Sequence, residues 1–134
     1  MDAALRGQIR ERAGDRCEYC QIHQDHDPFY VFPVDHAIAR QHQGPTEPDN
    51  LCLSCFRCNS HKGPNIASID PLTGELVRLF HPRKDDWDEH FQWQGAVLVG
   101  RTPVGRATAR LLAINHPDYV MLREALIDEG EFPP

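Results

Sequence analysis

Cysteines occur in this chain as two Cys-x-x-Cys hooks, Cys17–Cys20 and Cys55–Cys58, with the pair Asp35-His36 between them. Asn50-Leu51 precedes the second hook, Asn59 follows it directly, and Lys62-Gly63 comes three residues later. Zinc favours four thiolates in a tetrahedron, and two residues between cysteines let one knuckle supply two ligands. Cys17, Cys20, Cys55 and Cys58 are therefore the expected ligands of a structural zinc ion. Cys52-x-x-Cys55 is also a legal hook, but on a strand Cys52 faces away from Cys55. Cys52 is expected to be a small buried residue instead.

Asp, His and Asn held beside such a staple suit a second metal that does chemistry. Hydrolysis of a phosphodiester needs a base to activate water, a cation to stabilise the leaving oxygen, and something to hold the phosphate. His36, at the end of a strand, titrates near neutrality and suits the base. Consecutive strand residues point to opposite faces, so a bend is needed for Asp35 to reach a metal while His36 meets water. Asn59, at a helix start, offers a hard carbonyl oxygen suited to magnesium or manganese. Lys62 shares its helical face and is expected to reach a phosphate. Taken singly, each residue has a plainer role: a satisfied histidine, a helix cap, a solvated lysine. The fixed order of all of them raises the catalytic reading.

That order, Val34-Asp35-His36, Gly44, Asn50-Leu51, Cys55-x-x-Cys58-Asn59-x-x-Lys62-Gly63, resembles the HNH endonuclease family. This is the zinc-containing branch of the ββα-metal, or His-Me finger, nucleases. The resemblance covers roughly Cys17 to Gly63, and the stretch from Ile69 through Gly105 also looks like small stand-alone bacterial members. It implies His36 as general base, Asp35 as a metal-binding acid, and Asn59 as the residue completing the site of one divalent cation, Mg2+ or another such as Mn2+. It implies Asn50 as a brace of the loop that carries the base, the four cysteines as a zinc site, and DNA cleaved to leave a 5′-phosphate. Ala37 departs from the family, where a larger apolar residue is usual; Ile38 is expected to take over that packing.

The implied fold is α+β, with a zinc-stapled, treble-clef-like ββα-metal core over about residues 15–66 and a cap of short strands and two helices over about 67–134, together one domain. An N-terminal helix is expected over Ala3–Ala13, buried through Leu5 and Ile9 and stopped by Gly14-Asp15. Phe29–Val34 reads as a strand, Gln41–Asn50 as a loop and Leu51–Cys55 as an alternating strand. Phe56–Lys62 reads as a helix, Asp70–Gly74 as a turn feeding a strand over Glu75–Phe80, and Asp85–His90 as one helical turn. Phe91–Trp93 and Ala96–Gly100 are expected to pair as a hairpin. Thr102 caps a helix running to Ile114, and a last helix spans Pro117–Glu129 with Val120, Met121, Ala125 and Ile127 on its buried side.

The 134 residues carry a net charge of −6 and include 11 prolines and five cysteines. An odd cysteine count speaks against a secreted disulfide scaffold, and the N-terminus has no apolar signal segment, so a cytoplasmic protein is expected. The acidic balance counts against a broad nucleic-acid surface but leaves room for a local basic groove. Arg40, His42 and Arg83 join Lys62 as expected phosphate contacts. His61 lies off the face of Asn59, His81 and His90 are expected near the site, and His23, His26 and His116 are expected to be solvated. The alternative function is a non-catalytic zinc module that binds nucleic acid or protein, with no use for Asp35, His36 and Asn59 together. Monomer and homodimer both stay open.

Overall fold

The computed structural model describes every residue, Met1–Pro134. It is a mixed α/β protein whose chain divides into two compact units, Met1–Ile66 with His81–Lys84, and Ala67–Phe80 with Asp85–Pro134. No helix is long and apolar enough to cross a membrane.

The first unit opens with helix α1, Ala3–Arg12, where the Asp2 carboxylate caps the start by accepting from Leu5 N at 2.8 Å. Ile9 is buried, while Leu5 is only half-buried. Gly14 and Asp15 both take positive φ and end the helix. Strands β1, Val34–His36, and β2, Leu51–Leu53, pair antiparallel with Val34 opposite Leu53, Asp35 opposite Cys52 and His36 opposite Leu51. Helix α2, Phe56–Lys62, follows with Cys55 as its N-cap. Arginines at the end of α1 anchor this layer: Arg10 donates to the Phe32 carbonyl at 2.7 Å, and Arg12 donates to those of Pro48 and Leu51.

Three expectations are corrected here. The strand expected over Phe29–Val34 begins only at Val34. Side chains of Gln24 and Asp27, not a neighbouring strand, bond the amides of Phe29, Tyr30 and Phe32 and the carbonyl of Tyr30. The loop Gln41–Asn50 contains short 3-10 turns at Arg40–His42 and Pro48–Asn50. All three residues of β2 are buried, so alternation does not separate an outer face there.

The second unit holds two hairpins and three helices. Strands β3, Ala67–Ile69, and β4, Leu76–Arg78, pair around the turn begun by Asp70. β3 escaped the sequence reading because Ala67-Ser68-Ile69 is too short to show a period. Helix α3, Trp87–His90, leads into strands β5, Phe91–Gln94, and β6, Val97–Gly100, which form the expected hairpin. Helix α4, Pro103–Leu111, is capped by Thr102, which accepts from Gly105 N at 3.0 Å. It packs on β6, β3 and β4. A Cβ on Gly105 would come within 2.0 Å of the His90 carbonyl oxygen, so this contact admits only glycine. α4 stops before Ile114 because Ala113 turns to φ +51°.

Helix α5, Pro117–Asp128, buries Arg123 and Leu126. Met121 and Ala125, expected inside, are exposed. The reason is Arg123. Its guanidinium donates to the carbonyls of Ala96 and Ile114 at 2.8 and 2.9 Å and lies 5.0 Å from the Trp93 ring, which rotates the inner face toward a residue that sequence reading assigns to solvent.

Candidate active site

The two hooks form matching knuckles. Cys20 N donates to Cys17 Sγ at 3.5 Å, and Cys58 N donates to Cys55 Sγ at 3.4 Å. All four sulfurs are buried and lie within 4.8 Å of one another. A zinc ion about 2.3 Å from each sulfur sets the sulfur–sulfur distance near ~3.8 Å. Cys20 Sγ and Cys55 Sγ are 3.8 Å apart, so the set is the right size for that ion. Hydrogen bonds from the thiols of Cys17, Cys20 and Cys58 pull the Cys55 thiol far below its ordinary pKa. Cys52 stays outside this cluster, buried with Sγ 3.7 Å from Asp35 Oδ2.

β1 runs straight through Asp35 and His36, with regular pairing at both, so no bend brings the two side chains to one face. The Asp35 carboxylate is buried. Its Oδ2 accepts from the Tyr19 hydroxyl at 2.8 Å and lies 3.2 Å from Lys62 Nζ, while Oδ1 has only a long 3.5 Å contact to the same ammonium. Burial pushes the Asp35 carboxyl above its ordinary pKa, against the pull of Lys62. Burial also raises the Tyr19 phenol, which keeps it protonated as the donor.

His36 is half-buried on the other face, with Nε2 2.9 Å from Thr46 Oγ1. Partial desolvation lowers its pKa; Asp35 opposes this, while Arg40 and Lys62 add to it. A lowered pKa leaves the imidazole neutral near pH 7, the form that can accept a proton. Asn50, buried behind it, accepts from Ile38 N and donates to the carbonyls of Ile38 and Pro45, each at 2.9 Å. These three bonds tie down the loop that leaves β1. Gly44 completes the packing: a Cβ there would lie 1.7 Å from the Ile38 carbonyl oxygen.

Asn59 is half-buried on α2, and its backbone N donates to the Cys55 carbonyl at 3.0 Å. Lys62, at the end of the same helix, is 1% exposed. Its ammonium donates to the His36 carbonyl at 3.0 Å and pairs with Asp35. The expected contact from Lys62 to a bound phosphate is therefore corrected: the ammonium faces inward and ties α2 to β1. Arg83 is corrected in the same way, because its guanidinium pairs with Glu18. Glu18 is itself fixed on β2, with N donating to Leu53 O and Oε2 accepting from Leu53 N, both at 2.8 Å. Arg40 and His42 remain exposed on the loop between β1 and β2.

His61 is exposed, and His81 is buried with Nδ1 accepting from Arg83 N at 3.2 Å. His90 belongs to the second unit and lies 2.6 Å from Thr102 Oγ1. His23 and His26 are half-buried, not freely solvated, and His116 caps α5. Tyr19, Glu18 and Thr46 are the polar contributors that sequence reading missed. Tyr19 and Glu18 lie inside the first hook, where a polar or aromatic residue between ligands is a usable signal; nothing in the chain flags Thr46.

Residues 17–65 match the family model described as HNH endonuclease. The resemblance read from the order of residues thus holds over that segment. A curated relative, the Septu protein PtuB of Bacillus thuringiensis, is 26% identical over 125 residues, covering 89% of this chain and 44% of the relative. The chain spans less than half the length of that relative. No solved structure matches the chain significantly.

Proposed function

We propose, from the HNH match over residues 17–65, that this protein is a metal-dependent endonuclease that hydrolyses phosphodiester bonds in DNA on a ββα-metal scaffold. The observation that carries the reading is the pairing of a half-exposed imidazole, its Nε2 2.9 Å from Thr46 Oγ1, with a loop that Asn50 braces beneath it. His36 takes a proton from water. Asn50 keeps the loop after His36 in place, so the imidazole does not have to be ordered when substrate arrives. Arg40 and His42, exposed on that loop, are the groups positioned to meet a phosphate.

Asp35 and Asn59 offer the hard oxygen donors that magnesium or manganese prefers. Asp35 Oδ1 keeps lone-pair capacity beside its long contact to Lys62, but a cation there would have to displace the ammonium that now pairs with the buried carboxylate, and the straight run of β1 turns His36 to the other face. A divalent cation held by these oxygens would supply neutralisation of the charge that builds up as the phosphodiester is cleaved. Lys62 holds α2 against β1 and keeps Asp35 compensated. Cys17, Cys20, Cys55 and Cys58 would hold the structural zinc that joins the first knuckle to the start of α2.

The test is cleavage of supercoiled plasmid by the native protein and by His36→Ala across several divalent metals. Loss of a general base is expected to slow cleavage by about 10²–10⁴-fold. Undiminished cleavage by the variant would remove His36 from the mechanism.

A further inference from the structure

Phe29, Tyr30 and Val31 are 84%, 50% and 77% exposed, the most exposed apolar run of the first unit. Their backbone is nevertheless held at Phe29, at Tyr30 and at the Phe32 that follows. Asp27 Oδ1 accepts from Phe29 N and Tyr30 N at 3.0 and 3.1 Å. Gln24 donates to the Tyr30 carbonyl at 2.9 Å and accepts from Phe32 N at 2.7 Å, and Arg10 holds the Phe32 carbonyl. A rigid backbone that displays large apolar side chains to water marks a binding surface.

The Tyr30 ring lies against Phe56, with centroids 4.1 Å apart and planes 7° from parallel. Phe56 is itself 44% exposed. It opens α2, and Asn59 stands three residues on, so the two share a helical face with Cβ atoms about 5–6 Å apart.

We propose that the Tyr30–Phe56 stack, flanked by Phe29, is a platform for an unpaired nucleobase beside the phosphodiester handled at His36 and Asn59. This rests on the nuclease reading above and adds a substrate class to it: single-stranded or locally opened nucleic acid. A two-ring stack with solvent-exposed rings is extended by a third flat ring, and every base has a suitable face. A base inside a duplex has both faces covered by its neighbours and cannot join the stack. Bases follow one another about every 3.4 Å along a strand, so the spacing of Phe56 and Asn59 puts the stacked base within about two nucleotides of that phosphate.

Charge does not oppose nucleic acid on this unit as it does on the other. The first unit holds nine Lys/Arg against nine Asp/Glu, so the whole net −6 of the chain falls on the other unit, with five against eleven. Asp27, in the platform's own loop, accepts from two backbone N–H groups, and Asp25 projects into solvent.

The experiment measures binding of a short single strand carrying 2-aminopurine, and of its duplex, to the full chain with His36→Ala as background. Stacking is expected to quench the probe in the single strand. Tyr30→Leu and Phe56→Leu, which keep apolar volume but remove the ring, are expected to weaken single-strand binding by about ten- to a hundredfold and to abolish the quench, with duplex binding nearly unchanged. Tyr30→Phe is expected to retain both. Phe29→Ser, at the exposed tip, serves if the leucine variants misfold, and a loss of about threefold is expected there. Single-strand binding that ignores all of these substitutions, or a change only in self-association, overturns the platform. If the native protein still cleaves plasmid in that case, the nuclease reading stands alone. A native protein that neither binds nor cleaves nucleic acid overturns both.

Discussion

Residues Met1–Ile66 with His81–Lys84 bury four clustered thiols, the Asp35–Lys62 pair and the Asn50 amide among their apolar side chains, whereas Ala67–Phe80 with Asp85–Pro134 are built round a chain of aromatic rings, with Asp70 and Arg123 buried as well. In the second unit Phe80, Phe91, Trp87, Trp93 and Phe132 follow one another at centroid distances of 5.0 to 5.9 Å. Such pairs add stability beyond the area they bury, and they need no ion. In the first unit the central positions go to Cys17, Cys20, Cys55, Cys58, Asp35, Lys62 and Asn50. Each polar group there costs free energy unless its partner is present. The first unit therefore rests on its thiol cluster and on complete polar pairing more than the ring-filled second unit does, although that unit too pairs Asp70 with Arg106 and Arg123 with backbone carbonyls.

The strongest way to break this contrast is to remove the zinc. One zinc per chain is expected by elemental analysis. Chelation, or Cys17→Ser, is expected to unfold the first unit, because structural zinc contributes on the order of 10 kcal/mol to folding in small zinc domains. Hydrogen exchange should then show lost protection in β1, β2 and α2 and retained protection in α4 and β6. Equal loss in both units would erase the distinction.

Next in size is Lys62→Met. It leaves the buried Asp35 carboxylate without its cation, and unpairing a buried charge costs about 3–5 kcal/mol. A fall in the denaturation midpoint is expected, with Asp35→Asn added to Lys62→Met recovering part of it. A Lys62→Met protein as stable as the native one would show that the ammonium is dispensable. Asn50→Ala removes three buried hydrogen bonds and is expected to cost about 2–3 kcal/mol, with cleavage falling further than stability alone explains. Plasmid cleavage measured well below the melting temperature checks that second part.

The smallest effect is confined to acid pH and to the second unit. Arg106 grips the Asp70 carboxylate at 2.9 and 2.8 Å, with help from Leu72 N and Thr73, and holds its pKa far below the usual carboxylate range. A depressed folded pKa means this stabilisation is fully present above the unfolded value near ~3.9 and fades as pH drops toward the folded one. Asp70→Asn is expected to be less stable than the native protein above about pH 4 and to show a flatter acid limb in pH-dependent melting. An unchanged acid limb would remove Asp70 as its source.

The acidic balance of the chain is unevenly divided between the two units. A net charge averages over the chain, and here the first unit is neutral while the second carries the excess. The total therefore describes mainly the second unit. The strand expected at Phe29–Val34 did not form over most of its length. Its β-rich residues are real, but Gln24 and Asp27 side chains take the backbone groups of Tyr30 and the amides of Phe29 and Phe32 in place of a ladder.

Spacing within the chain determined the parts of this protein that are local. Two residues between cysteines make a knuckle, Asp2 and Thr102 cap the helices that follow them, and Gly95 between β5 and β6 turns a hairpin, because each involves atoms only a few bonds apart. Only the tertiary structure decided the fate of the charges. Lys62 meets Asp35 across 27 residues, Arg83 meets Glu18 across 65, and Arg123 meets Ala96 across 27. Whether a cation serves a substrate or the protein's own interior depends on which distant oxygen folding brings beside it, and a side chain's type carries no record of that partner.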